Sequence, residues 1–180
     1  MREIISMRPE YITSSLELVE KVFTEHENAD EGKLVRSLVE EIRAKKYYLP
    51  ELELLMLEDG APVGYVMFSR FHIEGRYDDR FLILTPAAVR TDLQRQHISR
   101  DLIEYGFERA REMGFTACMV EGDPRNYRAR GFTTSAPYGI VAAESVHLPH
   151  PDCMMVKELV PGGLDGMHGE IDYSMYEVLT

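Results

Sequence analysis

Tryptophan is absent from the 180 residues, and cysteine occurs only twice, at Cys118 and Cys153. Both cysteines sit in apolar runs, with no Cys-x-x-Cys spacing and no histidine pair nearby. Buried reduced thiols are expected there rather than metal ligands. The six histidines are scattered, only His147 and His150 standing close together around a proline turn, so no metal is expected. Positive charge is scarce: 20 Lys and Arg against 31 Asp and Glu leave a net charge of -11. Such a field repels phosphate backbones and anionic lipid, which argues against nucleic acid and favours cationic partners. Long apolar runs are missing too. The longest uncharged one, around Pro62 to Phe68, falls far short of the roughly 20 residues that span a bilayer. No basic segment followed by an apolar one opens the sequence, so a cytoplasmic protein without a membrane partner is expected.

What is present is one core's worth of apolar residues, 44% of the chain. That suits one domain over residues 1–180, with its core over about 3–143 and C-terminal strands and tail over 144–180. Residues 3–8 read as a short strand. Ile12, Leu16, Val19 and Phe23 then recur every three or four residues, as on an amphipathic helix running to His26. After a polar break at Glu27 to Glu31, Leu34, Leu38 and Ile42 continue as a second helix. The runs Glu53–Leu57 and Val63–Phe71 flank Asp59-Gly60, strong turn chemistry for a hairpin. Phe81–Val89 is a third strand, in which Pro86 implies a bulge or bend. Ile98, Leu102, Tyr105, Ala110 and Met113 mark a helix that Gly114 ends, followed by a strand over Thr116–Val120. Residues 125–130 read as one or two helical turns, and Ile140–Ala143 and Met154–Val160 as late strands. The order predicts an α/β fold with a mixed sheet: an antiparallel meander first, then one βαβ crossover where a single site should lie.

Three stretches then carry a family resemblance: Leu84-Thr85-Pro86-Ala87-Ala88-Val89, Gln94-Arg95-Gln96-His97-Ile98-Ser99, and Gly122-Asp123-Pro124-Arg125-Asn126-Tyr127-Arg128-Ala129-Arg130-Gly131-Phe132. They resemble the core of the GNAT superfamily of N-acetyltransferases, and most of the chain resembles one bacterial branch of it. The resemblance implies the GNAT acyl-CoA N-acyltransferase fold, an acyltransferase activity and acetyl-CoA as cosubstrate. It implies that Ala87, Ala88 and Val89 meet the pantetheine arm through backbone groups. It also implies that Gln94, Arg95, Gln96, His97, Ile98, Ser99 and Arg100 wrap the pyrophosphate, as helix N-termini bind anions. Gln94 and Ile98 keep the family pattern, whereas Arg95, His97 and Ser99 stand where glycines are usual. Glycine lets a backbone approach phosphate closely at positive φ. Two readings follow. The three side chains replace part of that fit with charged or hydroxyl donors, or the chain is a GNAT-like binding or regulatory domain with a degenerate loop and weak or no catalysis.

Acetyl transfer from a thioester needs a neutral amine, a route for its proton, donors for the developing oxyanion and a proton for the leaving thiolate. A thiol of pKa about 8.5 leaves fairly well, so little acid help is required. Tyr127, four residues before Gly131, matches the tyrosine the family often uses as general acid; a tyrosine packing a short helix is the alternative. For the base, Glu121 and Asp123 end the strand after the crossover helix, and His72 and Glu74 end the hairpin strand; a water relay would serve equally. For Arg125, Arg128 and Arg130 the resemblance implies reach to the adenosine phosphates of the cofactor, and solvation of an exposed turn is the alternative, which is favoured. The acceptor is expected to be a primary amine of a small molecule or peptide, of cationic character given the net charge. The ten methionines read as core filler. By analogy with related domains a homodimer is expected, with residues 136–180, ending in Tyr173-Ser174-Met175-Tyr176, as the candidate surface.

Overall fold

The computed structural model describes residues 1–180. Its element order is β1 (Arg2–Ser6), α1 (Ile12–His26), α2 (Ala29–Arg43), β2 (Glu53–Glu58), β3 (Ala61–Arg70), β4 (Phe81–Val89), α3 (Ile98–Glu112), β5 (Ala117–Glu121), α4 (Pro124–Tyr127), β6 (Thr133–Thr134), β7 (Ile140–Ala142), β8 (Met154–Glu158) and β9 (Gly169–Ile171). The polar break between the first two helices shrinks to Glu27 and Asn28, because the Asn28 side chain accepts the Glu31 N–H at 2.8 Å and starts α2 at once.

Seven strands form one sheet in the order β1-β2-β3-β4-β5-β8-β6, and β7 and β9 pair separately. All neighbours in the large sheet are antiparallel except β4 and β5. This is the expected mixed sheet with its meander and its crossover through α3. The period-two alternation of side chains divides the apolar residues between two layers. Leu55, Leu57, Tyr65, Met67, Ile83 and Met119 face α1 and α2. Leu54, Met56, Val66, Phe68, Leu82 and Cys118 face α3. Six of the methionines are buried in these layers. Glycine permits the closest approaches of α3: a Cβ on Gly64 would stand 2.5 Å from Ile98, and one on Gly106 would stand 2.2 Å from Phe68.

Two features of β4 open the sheet. Val66 opposes Ala87 while Phe68 opposes Leu84, so β4 carries an extra residue at Thr85-Pro86, the bulge that Pro86 implied. On its other edge β4 pairs with β5 only through Phe81, Leu82 and Ile83, opposite Ala117, Cys118 and Met119. From Leu84 onward that edge has no strand partner, and β4 and β5 splay apart.

The late strands take places in the sheet that the sequence reading left open. β8 inserts between β5 and β6. β6, only two residues long, left no apolar run to find. The last residues fold back on the α1–α2 face: Lys45 pairs with Glu177 at 2.9 Å, and Glu41 accepts the N–H groups of Glu177 and Val178. Tyr176 is buried, its ring stacked on Phe71 with centroids 6.2 Å apart, and Tyr173 packs on the same ring. Tyr173 and Tyr176 therefore pack within the chain, while Ser174 between them stays exposed.

Candidate active site

Two clefts open at the splay. The first, of about 560 Å3, lies at the start of α3 and is closed by the end of α1 and by α4. Between β4 and α3 the backbone turns through Arg95 at φ 64° and His97 at φ 63°. These are the left-handed conformations a glycine adopts freely, at a cost for other residues of about 1 kcal/mol each. The loop has thus kept the glycine-type backbone without the glycines at both positions. Ser99 already lies in the first turn of α3 with ordinary helical φ.

The first backbone N–H of α3 to find a protein carbonyl is that of Asp101, which donates to His97. The preceding amides, from Arg95 to Arg100, donate to no protein acceptor, and those of Ile98 to Arg100 form the open N-terminus of α3. Around it stand the side chains of Arg95, Arg100, Arg125 and Arg130. The loop is tied down from two sides. The Gln94 amide donates to the Val89 carbonyl at 2.9 Å, and Thr91 donates to Glu25 of α1 at 2.8 Å.

Of the residues singled out in the sequence, Ala87, Ala88, Val89, Gln94, Arg95, His97, Ile98, Ser99, Arg100 and Tyr127 all line this cleft. Gln96 does not; its side chain turns outward and accepts from Arg2 at 2.5 Å. Arg125 and Arg130 border the cleft, and Arg128 pairs with Asp152 at 3.6 Å outside it.

The second cleft, about 1060 Å3, lies on the other side of the splay. The α1–α2 turn, β4, the end of β5 and the returning tail wall it. Phe23, Glu27, Ala87, Asn126 and Tyr127 line both clefts, so the two meet at these residues. Tyr127 is held there by shape. Its ring lies so close over Gly122 that a Cβ on Gly122 would come within 2.4 Å of it, and it meets Phe132 edge-on with centroids 5.8 Å apart. Its hydroxyl has no hydrogen-bond partner in the protein, and burial pushes its pKa above the ordinary tyrosine value. The phenol therefore keeps its proton at neutral pH.

The base candidates separate cleanly. Glu121 lines the second cleft and accepts from the Tyr173 hydroxyl at 2.7 Å. Asp123 also borders it but is engaged in capping α4: it accepts the Arg125 N–H at 2.9 Å and pairs with the Arg125 guanidinium at 2.8 Å, which holds its pKa below the usual carboxylate value. His72 and Glu74 lie in neither cleft. His72 accepts the Gly75 N–H and Glu74 accepts the Glu170 N–H, which ties the end of the hairpin to β9. Sequence reading missed Phe23, Glu27, Glu31 and His147. The two glutamates, one in the helix break and one in the first turn of α2, look like ordinary solvated charges until the tail and β5 close around them. The sequence held no signal for His147.

Comparisons with known proteins agree with this geometry. The model of the acetyltransferase (GNAT) family matches residues 16–135. An uncharacterized N-acetyltransferase of Escherichia coli K12, YjhQ, is 33% identical over 72% of this chain and 70% of its own length. Among solved structures, a GNAT family acetyltransferase from Brucella melitensis in complex with acetyl-CoA is 25% identical, covers 100% of this chain and 99% of its own, and superposes with a TM-score of 0.73. YhbS from Escherichia coli, in complex with CoA, shares the fold with a TM-score of 0.82 at 24% identity, over 96% of this chain and 89% of its own. No helix is long and apolar enough to cross a membrane. With its splayed β4–β5 pair, its open amide row before α3 and these matches, the chain belongs to the GNAT family of acetyltransferases.

Proposed function

We propose that the protein transfers an acetyl group from acetyl-CoA, held in the first cleft, directly to a primary amine held in the second. The observation that carries this is the meeting of the two clefts at Tyr127, one rich in arginines and unpartnered amides, the other without a single lysine or arginine. The first suits a pyrophosphate: the amides of residues 95–100 lack protein acceptors, a helix N-terminus adds its dipole, and Arg95, Arg100, Arg125 and Arg130 line the cleft. The unpaired edge of β4 beyond Ile83 offers backbone groups to a pantetheine arm, leading toward Ala87 and Tyr127. The preserved positive φ at Arg95 and His97 favours retained binding over a decayed loop.

Bound acetyl-CoA supplies an activated acetyl thioester. The protein's part is to position and to move protons. As the amine nitrogen bonds to the acetyl carbon and the carbon–sulfur bond breaks, the Tyr127 hydroxyl donates its proton to the departing sulfur. Glu121, at the mouth of the second cleft, takes the amine's proton directly or through water, and Tyr173 keeps its carboxylate in place.

The test begins with a calorimetric titration of acetyl-CoA, for which micromolar binding is expected. Thiol release is then followed with and without amine, alongside mass spectrometry of the protein. Direct attack predicts release only when amine is present and no acetylated protein without it. A stable acetyl-protein that later passes its acetyl group to the amine would overturn direct attack, and absence of binding would overturn the reading as a whole.

A further inference from the structure

Which amine the second cleft accepts follows from its charge, given the reading that an amine is acetylated there. Glu27, Glu31, Glu121 and Asp123 line it, with no lysine or arginine and a single histidine, His147, among the lining residues. Two of the four are already engaged, Glu121 by Tyr173 and Asp123 by Arg125. Glu27 and Glu31 have no side-chain partner in the protein; Arg36, further along α2, bonds Glu20 instead. Glu31 is half-buried, beside the aliphatic wall of Leu34 and Leu38. A partly desolvated carboxylate without a partner is an unsatisfied demand for a cation. The cleft also joins the first at the one tyrosine placed to serve the reaction, so what enters it reaches the reacting centre.

A single ammonium in such a cleft would be trapped. Carboxylates stabilise the charged form of an amine, and only the neutral form attacks an acetyl group. A second positive charge on the same molecule removes the conflict. It occupies the free carboxylates, and its repulsion lowers the pKa of the other amine, which can then lose its proton beside Tyr127. The aliphatic wall suits an alkyl spacer between the two centres. A carboxylate or phosphate on the acceptor would face Glu27, Glu31 and Glu121 with no lysine or arginine in the lining, which disfavours free amino acids and amino-sugar phosphates.

We infer that the acceptor is an aliphatic amine carrying a second cationic centre across an alkyl spacer, a diamine or polyamine, with Glu27 and Glu31 reading the distal charge. The test compares three acceptors of similar length with the acetyl-CoA-loaded protein: 1,5-diaminopentane, pentylamine and 6-aminohexanoate. kcat/KM for the diamine is expected to exceed that for the monoamine by tenfold or more and that for the amino acid by about a hundredfold, the advantage over the monoamine shrinking at high salt. In a Glu27→Gln, Glu31→Gln variant the ratio of diamine to monoamine falls toward unity, chiefly through the KM of the diamine. Because Glu27 also borders the first cleft, acetyl-CoA affinity is measured in the variant, and the ratio within one protein cancels any change in it. Equal use of diamine and monoamine, a preference for the amino acid, or an unchanged ratio in the variant overturns the inference. So does failure of all three acceptors with a protein that binds acetyl-CoA, an outcome that leaves the acetyl-transfer reading standing; failure to bind acetyl-CoA would remove both.

Discussion

The cleft at the start of α3 takes half of its lining from one local stretch, residues 87–100, whereas the second cleft gathers side chains from the α1–α2 turn, β4, the end of β5 and residues 145–147 and 173–180. The first is therefore defined by backbone path. It survives Arg95 and His97 in place of glycines, because those residues bear the strain and hold the same left-handed path. The second is defined by which side chains happen to converge, so its chemistry is free to change while the fold stays constant. On the proposed reading, recognition of an anion is built into the first, and choice of acceptor is left to the second.

The largest effect should come from outside both clefts, where the end of α2 meets the start of α1. Glu53 is fully buried, pairs with Arg43 of α2 at 2.8 Å and accepts from Tyr48 and Tyr65; Arg43 also reaches Ser15 of α1. Arg43→Leu leaves that carboxylate unpaired and should cost about 3 kcal/mol. The midpoint of thermal unfolding should then fall by roughly 6 to 12 °C. A loss under 1 kcal/mol would mean that the α1–α2 pair is held by its apolar face alone.

Next in size is the group shared by both clefts. Tyr127→Phe should lower kcat by about a hundredfold, at the modest end for a general acid because a thiolate leaves readily, with little change in acetyl-CoA affinity. The sign of its pH dependence follows from the raised pKa: the acid form is present below that pKa and is lost as pH rises through it. The kcat profile of the native protein should show no falling limb below the ordinary tyrosine range of about pH 10, and the limb above it should vanish in the phenylalanine variant. A limb near neutrality would assign the proton to another group.

A smaller effect is expected from Gly122→Ala. The new Cβ would meet the Tyr127 ring at 2.4 Å and push the hydroxyl off its place. Kinetics should show kcat about tenfold lower, with acetyl-CoA binding preserved. The smallest belongs to Arg95→Gly with His97→Gly. Relief of left-handed strain and the greater chain entropy of glycine nearly cancel, so stability should shift by less than about 1 kcal/mol. Acetyl-CoA affinity should stay within about tenfold of native. A hundredfold loss would move recognition from the backbone to those two side chains.

The same contrast explains what could be read in the sequence. Phe81–Val89 was legible to the residue, since a buried strand is an unbroken apolar run, and Gly114, at φ 94°, marked the end of α3. Nine of the positions now lining the first cleft, between Ala87 and Arg100, were legible through the family resemblance because one local stretch and its helix carry them. The insertion of β8 beside β5 was not legible, because strand order depends on long-range pairing that period-two patterns do not encode. Glu27, Glu31 and His147 were not legible as a group: 116 residues separate Glu31 from His147, and nothing local distinguishes them from solvated surface. Asp123 was singled out as a base because it ends a strand near the crossover, yet the proline that follows makes it a helix cap.

The most direct measurement is a crystal structure with coenzyme A bound. The pyrophosphate should lie on the amides of residues 95–100, with the sulfur within about 3.5 Å of the Tyr127 hydroxyl and the second cleft left free for an amine. A pyrophosphate seated away from that amide row, or a sulfur facing away from Tyr127, would contradict the account.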